Sequence, residues 1–502
     1  MKESLDFIYK QQKELSVFGG IAALLGWDQM TYMPQDGASD RSEQSALISR
    51  LSHEMVISDE FWRHIENLSK KDIFYNLSEK DQVVVSRLRE DVEKARKVPS
   101  SFVEKISKAT TVAYTSWENA RAKNDFKVFS SDLQKIVDLE KEYCGYINLP
   151  GPRYNCLLDD YEEGMTVDKL RSEFDVLKKD LVSILDKIKN SDVFEKQRQP
   201  DVRYDENIQK KLTNLVMEKM GLPSSRSRVD VSTHPFTTSM GYDDVRITTN
   251  YGRSDPLFSF FSTIHEAGHA LYELDMPKDE FKDTVISDSP SLGLHESQSR
   301  FWENMIARSK EFWEFFYPKF KNFSPDVFNN VGFDDWYKIV NIVRPSLIRV
   351  EADELTYCLH VILRFEIETD LMDDKIDVND LPSIWNDKMD EMLGVRPGND
   401  VEGVLQDMHW SGGSIGYFPT YAIGSIYSAQ LFKKLVSDRP MTFEEIRKAD
   451  FKNILDWLNE HVHRYGRRFT ADEIVTNCCG EGLNSKVYTD YLKEKYFEIY
   501  EV

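Results

Sequence analysis

TIHEAGHALYEL, residues 263–274, sets two histidines four residues apart with a glutamate between them, inside an apolar run. Leu257, Phe260, Ile264, Ala267, Leu271 and Leu274 recur at intervals of three and four, so the stretch reads as one helix with a continuous buried face. Asp255 suits its N-cap and Pro256 its first helical position, and Met276 with Pro277 ends it. His265 and His269 then lie one turn apart, about 6 Å along the axis at roughly 1.5 Å per residue. At that spacing two imidazoles converge on one metal ion. Glu266 lies about 100° round the helix, where a carboxylate can act on water beside a metal without ligating it. Two histidines on a largely buried helix can also be ordinary core residues, so a third ligand has to decide.

A downstream glycine and histidine would have supplied that ligand, but the corresponding positions are Tyr272 and Asp275. With Tyr272 in place of a turn-making glycine the helix continues, and Asp275 is carried well away from the His269 face. A neighbouring helix is the alternative. After the turn-rich link SDSPSLG, 287–293, HESQSRFWENMI at 295–306 reads as a helix with Glu296, Arg300 and Glu303 on its polar face. Glu296 is the first candidate, with Arg300 one turn on as the group that holds its carboxylate; Glu303, Glu280 and His295 stay open beside it. A solvated charged face is the plain reading of the same spacing.

Outward from these helices the chain is helical nearly throughout. Helical spacing marks residues 41–146, for example Val85, Leu88 and Val92, then Phe129, Leu133, Ile136 and Leu139. LPGP at 149–152 and GLP at 221–223 mark turns, and residues 164–197 read as one long helix. Residues 227–252 differ: they alternate, are rich in Thr, Ser and Val, and predict two or three short strands. The expected fold is mainly α, a large multi-helix body with one small β-sheet placed just before the HEAGH stretch. It is expected as a single unit over 1–502, with a helical lobe 1–225 and a catalytic lobe 226–502.

A net charge of −22 over 502 residues opposes a phosphate-binding surface, so nucleic acid is not an expected partner. The apolar run VFGGIAALLGW, 17–27, is too short to span a bilayer and has acidic residues ahead of it, which predicts neither a membrane partner nor a secretory leader. Five cysteines, an odd and sparse number without a Cys-x-x-Cys, suit a reducing, cytoplasmic setting.

Together the HEAGH helix, HESQSR, HPF at 234–236, DVRIT at 244–248, IRVEADELTY at 348–357 and GVLQDMHW at 403–410 resemble the motif set of the carboxypeptidase Taq family of metallocarboxypeptidases. GWDQMTYMP at 26–34 is similar to that family's N-terminal region. The resemblance implies a mostly helical cytoplasmic homodimer, a multi-helix body with a long substrate groove and the small β-sheet near the active site, that removes residues one at a time from free peptide C-termini, with broad preference except for C-terminal proline. It also implies zinc on His265, His269 and Glu296, with Glu266 as general base; cobalt suits such a donor set equally well.

The remaining candidates follow from what the reaction needs. An oxyanion donor is offered by Tyr421, or by Tyr417, both expected on the glycine-rich loop GGSIGYFPTYAIG, 412–424. His234 and His409 are candidates to touch substrate. A guanidinium suits the free carboxylate. Pro345 is read as a helix start, after which Arg349, Asp353, Thr356 and His360 would run down one face, making Arg349 the first choice, Arg246 the second and Asp353 a supporting group. An Arg349–Asp353 structural pair is the alternative. An oligopeptidase or endopeptidase with the same metal core, or a non-catalytic helical protein with a structural metal, are the competing functions.

Overall fold

The computed structural model describes residues 1–197, 203–252, 255–323, 328 and 331–502. Helices supply nearly all the regular structure, from Lys2–Thr31 to Ser485–Tyr500, so the mainly α expectation holds. Among the described residues one small sheet forms, where alternation predicts it: β1 (Ser227–Val231), β2 (Thr237–Gly241) and β3 (Asp244–Thr249). β3 is central, parallel to β1 and antiparallel to β2. Val245 and Ile247 are buried and Arg246 between them is half-buried, a period-two pattern that ends where Thr248 and Thr249 are both buried. A continuous apolar core runs from Phe102 to Tyr500, and a smaller one joins Ile8, Phe61, Ile65 and Leu88. Among the described residues no helix is long and apolar enough to cross a membrane.

The HEAGH helix, Pro256–Leu274, sits between this sheet and the HESQSR helix, Leu292–Arg300. Asp255 caps it by accepting from Leu257 N at 2.9 Å. Thr263 Oγ1 donates to Thr249 Oγ1 on β3 at 3.1 Å, so the helix is tied to the sheet by a buried hydroxyl pair. On its other side a Cβ on Gly268 would lie 2.8 Å from Gln298 O and 2.9 Å from Ser299 Cα, so only glycine allows the two backbones this close. Gly424, on the helix Pro419–Asp438, does the same for the third layer: a Cβ there would lie 2.7 Å from Glu296 Cβ and Cγ.

Four local expectations need correction. The segment 164–197 is Val167–Lys189 followed by a separate short helix, Asp192–Lys196, because Ser191 caps a new start by accepting from Phe194 N. The HESQSR helix begins earlier than expected, at Leu292, because Ser291 Oγ accepts from Leu294 N. It also gives way to a wider π-helical turn over Phe301–Ile306, a feature frequent at functional sites. No α-helix starts at Pro345: a 3-10 turn covers Arg349–Glu351 and the α-helix is Tyr357–Met372. Asp353 causes this, because its carboxylate accepts from the backbone N–H groups of Arg344, Leu355 and Thr356 and so holds a turn there.

Candidate active site

The HEAGH and HESQSR helices bring three donor atoms around one point. Glu296 Oε2 lies 3.3 Å from His269 Nε2 and 3.6 Å from His265 Nε2. Bonds of about 2.0–2.1 Å at tetrahedral angles would set ligand atoms about 3.3–3.4 Å apart. His265, His269 and Glu296 therefore fit one divalent ion as they stand, and they form the metal-competent group among the described residues. Of the other third-ligand candidates, Glu280 is exposed on the short helix Lys278–Phe281. Asp275 turns away to His463 Nδ1 at 3.3 Å. His295 stacks on His269 with ring centroids 4.5 Å apart and gives its Nε2 to Glu273 at 2.7 Å.

Glu303 takes a different part. Its Oε2 lies 2.8 Å from His265 Nδ1, which fixes the ring with Nε2 toward Glu296. Arg300 Nε donates to Glu296 Oε1 at 2.7 Å, and Arg300 Nη1 reaches Glu303 Oε2 at 3.4 Å, so one guanidinium supports both carboxylates. Burial opposes the charge on Glu296, yet Arg300 and His265 hold its carboxyl well below the usual range. Glu303 is held down to about 2 by the same guanidinium and by His265, against its burial. His265 is raised to about 9, because the Glu296 and Glu303 carboxylates outweigh its burial. His269 is pushed down to about 3 by burial and by His295, so its ring is neutral and open to a metal.

Glu266 is buried, and burial raises its carboxyl above the usual range. Thr237 Oγ1, on β2, lies 2.6 Å from Glu266 Oε2 and 3.0 Å from its carbonyl oxygen. One carboxylate oxygen is thus anchored to the sheet, and Oε1 makes no hydrogen bond to a described residue. A partly protonatable carboxyl with one free oxygen beside a divalent-ion site can shuttle a proton.

The aromatic side of the site gathers Tyr357, Tyr417, Tyr421 and His409. Tyr421 OH lies 3.4 Å from His409 Nε2, and its ring centroid is 5.3 Å from that of Tyr417. Tyr421 belongs to the first turn of the helix Pro419–Asp438 rather than to a loop; Pro419 at the helix start sets that boundary. Tyr417 does lie in the preceding turn. Arg349 is buried, with its guanidinium 4.9 Å from the Tyr421 ring centroid. It donates through Nε and Nη2 to Asp407 Oδ1 at 3.1 and 2.8 Å, and through Nη1 to Tyr357 OH at 3.0 Å.

Asp353 and His360 do not continue an Arg349 face, and neither an Arg349–Asp353 pair nor a supporting contact from Asp353 to the ligand cluster forms, since the turn consumes its oxygens. Arg246 lies bidentate on Asp244 at 2.8 Å twice and over the Trp27 ring at 4.5 Å. His234 is exposed between β1 and β2 and makes no hydrogen bond, ion pair or ring contact with these groups.

The profile of the carboxypeptidase Taq (M32) metallopeptidases matches residues 7–496. The chain belongs to the carboxypeptidase Taq (M32) family. It is 40% identical to thermostable carboxypeptidase 1 of Pyrococcus furiosus and 36% identical to carboxypeptidase 1 of Bacillus subtilis; the alignments cover 98% of both chains and 99% and 98%, respectively. The M32 carboxypeptidase of Deinococcus radiodurans superposes with a TM-score of 0.96 over all of both chains at 35% identity. Membership in this metallopeptidase family calls for a divalent ion, and the donor set on the HEAGH and HESQSR helices fits one.

The sequence alone does not show the roles of Glu303, Thr237 and Asp407. Glu303 was visible on the Glu296–Arg300 face, but whether it binds metal or histidine depends on the π-helical turn. Thr237 directly follows the HPF motif, a proximity that carries no direction in space.

Proposed function

We propose that this metal-dependent carboxypeptidase holds zinc on His265, His269 and Glu296 and releases single residues from the free C-terminus of peptides. The observation that carries the reading is the convergence of two imidazole nitrogens and one carboxylate oxygen next to Glu266, whose Oε1 bonds no described residue. When bound, the ion supplies Lewis acidity, polarising the scissile carbonyl and making a nearby water easier to deprotonate. Glu266 takes that water's proton and delivers it to the leaving amine. Its burial favours this, because a carboxyl raised above the usual range accepts a proton more readily. Glu303 keeps His265 in the tautomer and orientation that leave Nε2 for the metal.

Tyr421 is assigned as the oxyanion donor, since burial raises its hydroxyl well above the usual range and it stays protonated at neutral pH. Arg349 is assigned to the substrate carboxylate. A guanidinium has five N–H donors, and three of these already serve Asp407 and Tyr357, so two remain. His409 and Tyr417 meet the Tyr421 ring and are assigned to substrate contact beside it; Arg246 and His234, on and beside the sheet, are assigned to contacts further out. Cobalt is the expected substitute metal and C-terminal proline the expected refusal. The family resemblance supports a homodimer, and the five unpaired cysteines suit a cytoplasmic setting.

One assay tests the reading. The protein is incubated with Zn²⁺ or Co²⁺ and one peptide in free-acid and C-terminally amidated forms, and products are followed by mass. Stepwise loss from the free acid alone is expected. Internal cleavage of both forms would replace this reading with an endopeptidase, and no cleavage with either metal would leave a structural metal site. Glu266→Gln is expected to keep the metal and lose activity.

A further inference from the structure

Glu140, on the helix Lys127–Ile147, is only 5% exposed, and its carboxyl makes no hydrogen bond or ion pair with any described residue. A buried polar group without a partner is costly and calls for a physical account. Asp160 is the charged group that acts on it, and Tyr143, Cys144 and Tyr161, which Glu140 raises in turn, are acids as well, so none supplies a positive charge. Asp160 is already served by Lys94 Nζ at 2.7 Å and Tyr143 OH at 3.0 Å. Burial, and then Asp160, raise Glu140 to about 8.

This carboxyl lines a cavity of about 220 Å³ whose other walls include Val98, Phe102, Val103, Ile106, Leu157 and Ile415. Apolar walls with one carboxyl that has no counter-ion suit a long side chain that carries a positive charge at its tip, in whose presence the carboxyl gives up its proton. The cavity shares Val98, Tyr143, Asp160 and Tyr161 with a groove of about 780 Å³ that reaches Glu273 and His295, the ring stacked on His269. That groove is lined by seven carboxylates against three lysine or arginine side chains, which favours a cationic chain along it. Tyr161 meets Tyr417 at 5.3 Å between ring centroids, so the wall of the cavity touches the aromatic side of the site. Gly413, at φ +77°, closes the contact: a Cβ there would lie 3.0 Å from Glu140 Oε1.

We propose that Glu140 and its apolar cavity form a side-chain pocket for a lysine or arginine of the peptide substrate, upstream of the scissile bond. The placement rests on the carboxypeptidase reading above: with the free carboxylate at Arg349, the rest of the peptide runs along the groove past His295. Glu140 then sets specificity, and the cation it binds takes the place of the partner the fold omits.

The test uses the metal-loaded enzyme and free-acid peptides in which lysine is moved through the last five positions, each with a norleucine counterpart of similar length. The Lys-to-norleucine ratio of kcat/KM is expected to reach about tenfold at one upstream position, the effect of one charge-assisted contact. Glu140→Gln, which keeps size and loses no contact, is expected to bring that ratio to about one. A wild-type ratio near one at every upstream position overturns the proposal. So does a bias confined to the C-terminal residue, or one that Glu140→Gln leaves intact. Release of residues without bias sinks this pocket alone, whereas no release from any peptide sinks the activity reading and the pocket with it.

Discussion

Gly268 stands between the two histidines of the HEAGH motif, and Gly268→Ala separates helix propensity from helix spacing. By propensity alone, Gly→Ala inside a helix stabilises by about 0.8–1 kcal/mol. Here the new Cβ would lie 2.8 Å from Gln298 O and 2.9 Å from Ser299 Cα, both backbone atoms that no rotamer change can move. Ordinary contact begins near 3.5 Å, so the HEAGH and HESQSR helices must part by roughly 0.6 Å. Overpacking of this kind costs about 1–3 kcal/mol, enough to reverse the propensity gain. The displacement falls on the separation of His265 and His269 from Glu296, which stand on the two opposed helices. If the strain relaxes through that separation, metal affinity falls by roughly 5- to 140-fold, at about 1.4 kcal/mol per tenfold. Competition with a fluorescent chelator at fixed pH reads the affinity, and thermal unfolding of the metal-free protein reads stability. Gly145→Ala is the control, because nothing lies within 4 Å of its added Cβ and propensity alone should raise its stability. Wild-type metal affinity in Gly268→Ala, with a melting temperature unchanged or raised as in the control, would refute the spacing account.

Glu303→Gln removes the anion that orients His265 through Nδ1, and metal affinity is expected to fall about 10- to 100-fold by chelator competition. Thr237→Val removes the hydroxyl that holds Glu266 Oε2; since that bond lowers the Glu266 pKa, its loss raises it, and the acid limb of kcat/KM should move to higher pH. In the metal-free protein His265 stays protonated up to about pH 9, so metal uptake at pH 7 should release a proton, and apparent affinity should rise with pH until His265 is neutral. Titration in weakly buffered solution, following pH against added metal, measures this directly. Asp407→Ala leaves Arg349 and Arg364 buried without their carboxylate and is expected to destabilise the fold by about 3–5 kcal/mol, read as a lowered melting temperature.

The parts of this site that could be read in advance are those carried by local periodicity. His265, His269 and Glu266 are fixed relative to one another by a single helix, so spacing alone placed them. The small sheet was legible because Val, Ile and Thr alternate through residues 227–249. By spacing Glu296 is one of four open choices and only the family resemblance singles it out, because helical spacing describes one helix and says nothing of which neighbour faces it. The polar stripe from Arg349 to His360 misled for a related reason. Its residues have helical spacing, but Asp353 offers the backbone a better set of acceptors and the helix starts only at Tyr357.

Composition and pattern thus determined a mainly helical body, a two-histidine helix and the glutamate between them, since each depends on neighbours within a few turns. The third donor's approach, the Glu303 hold on His265 and the Thr237 anchor on Glu266 depend on how separate elements pack. Gly268 and Gly424 set those distances by having no side chain, and an absent side chain has meaning only once the surface pressed against it is known.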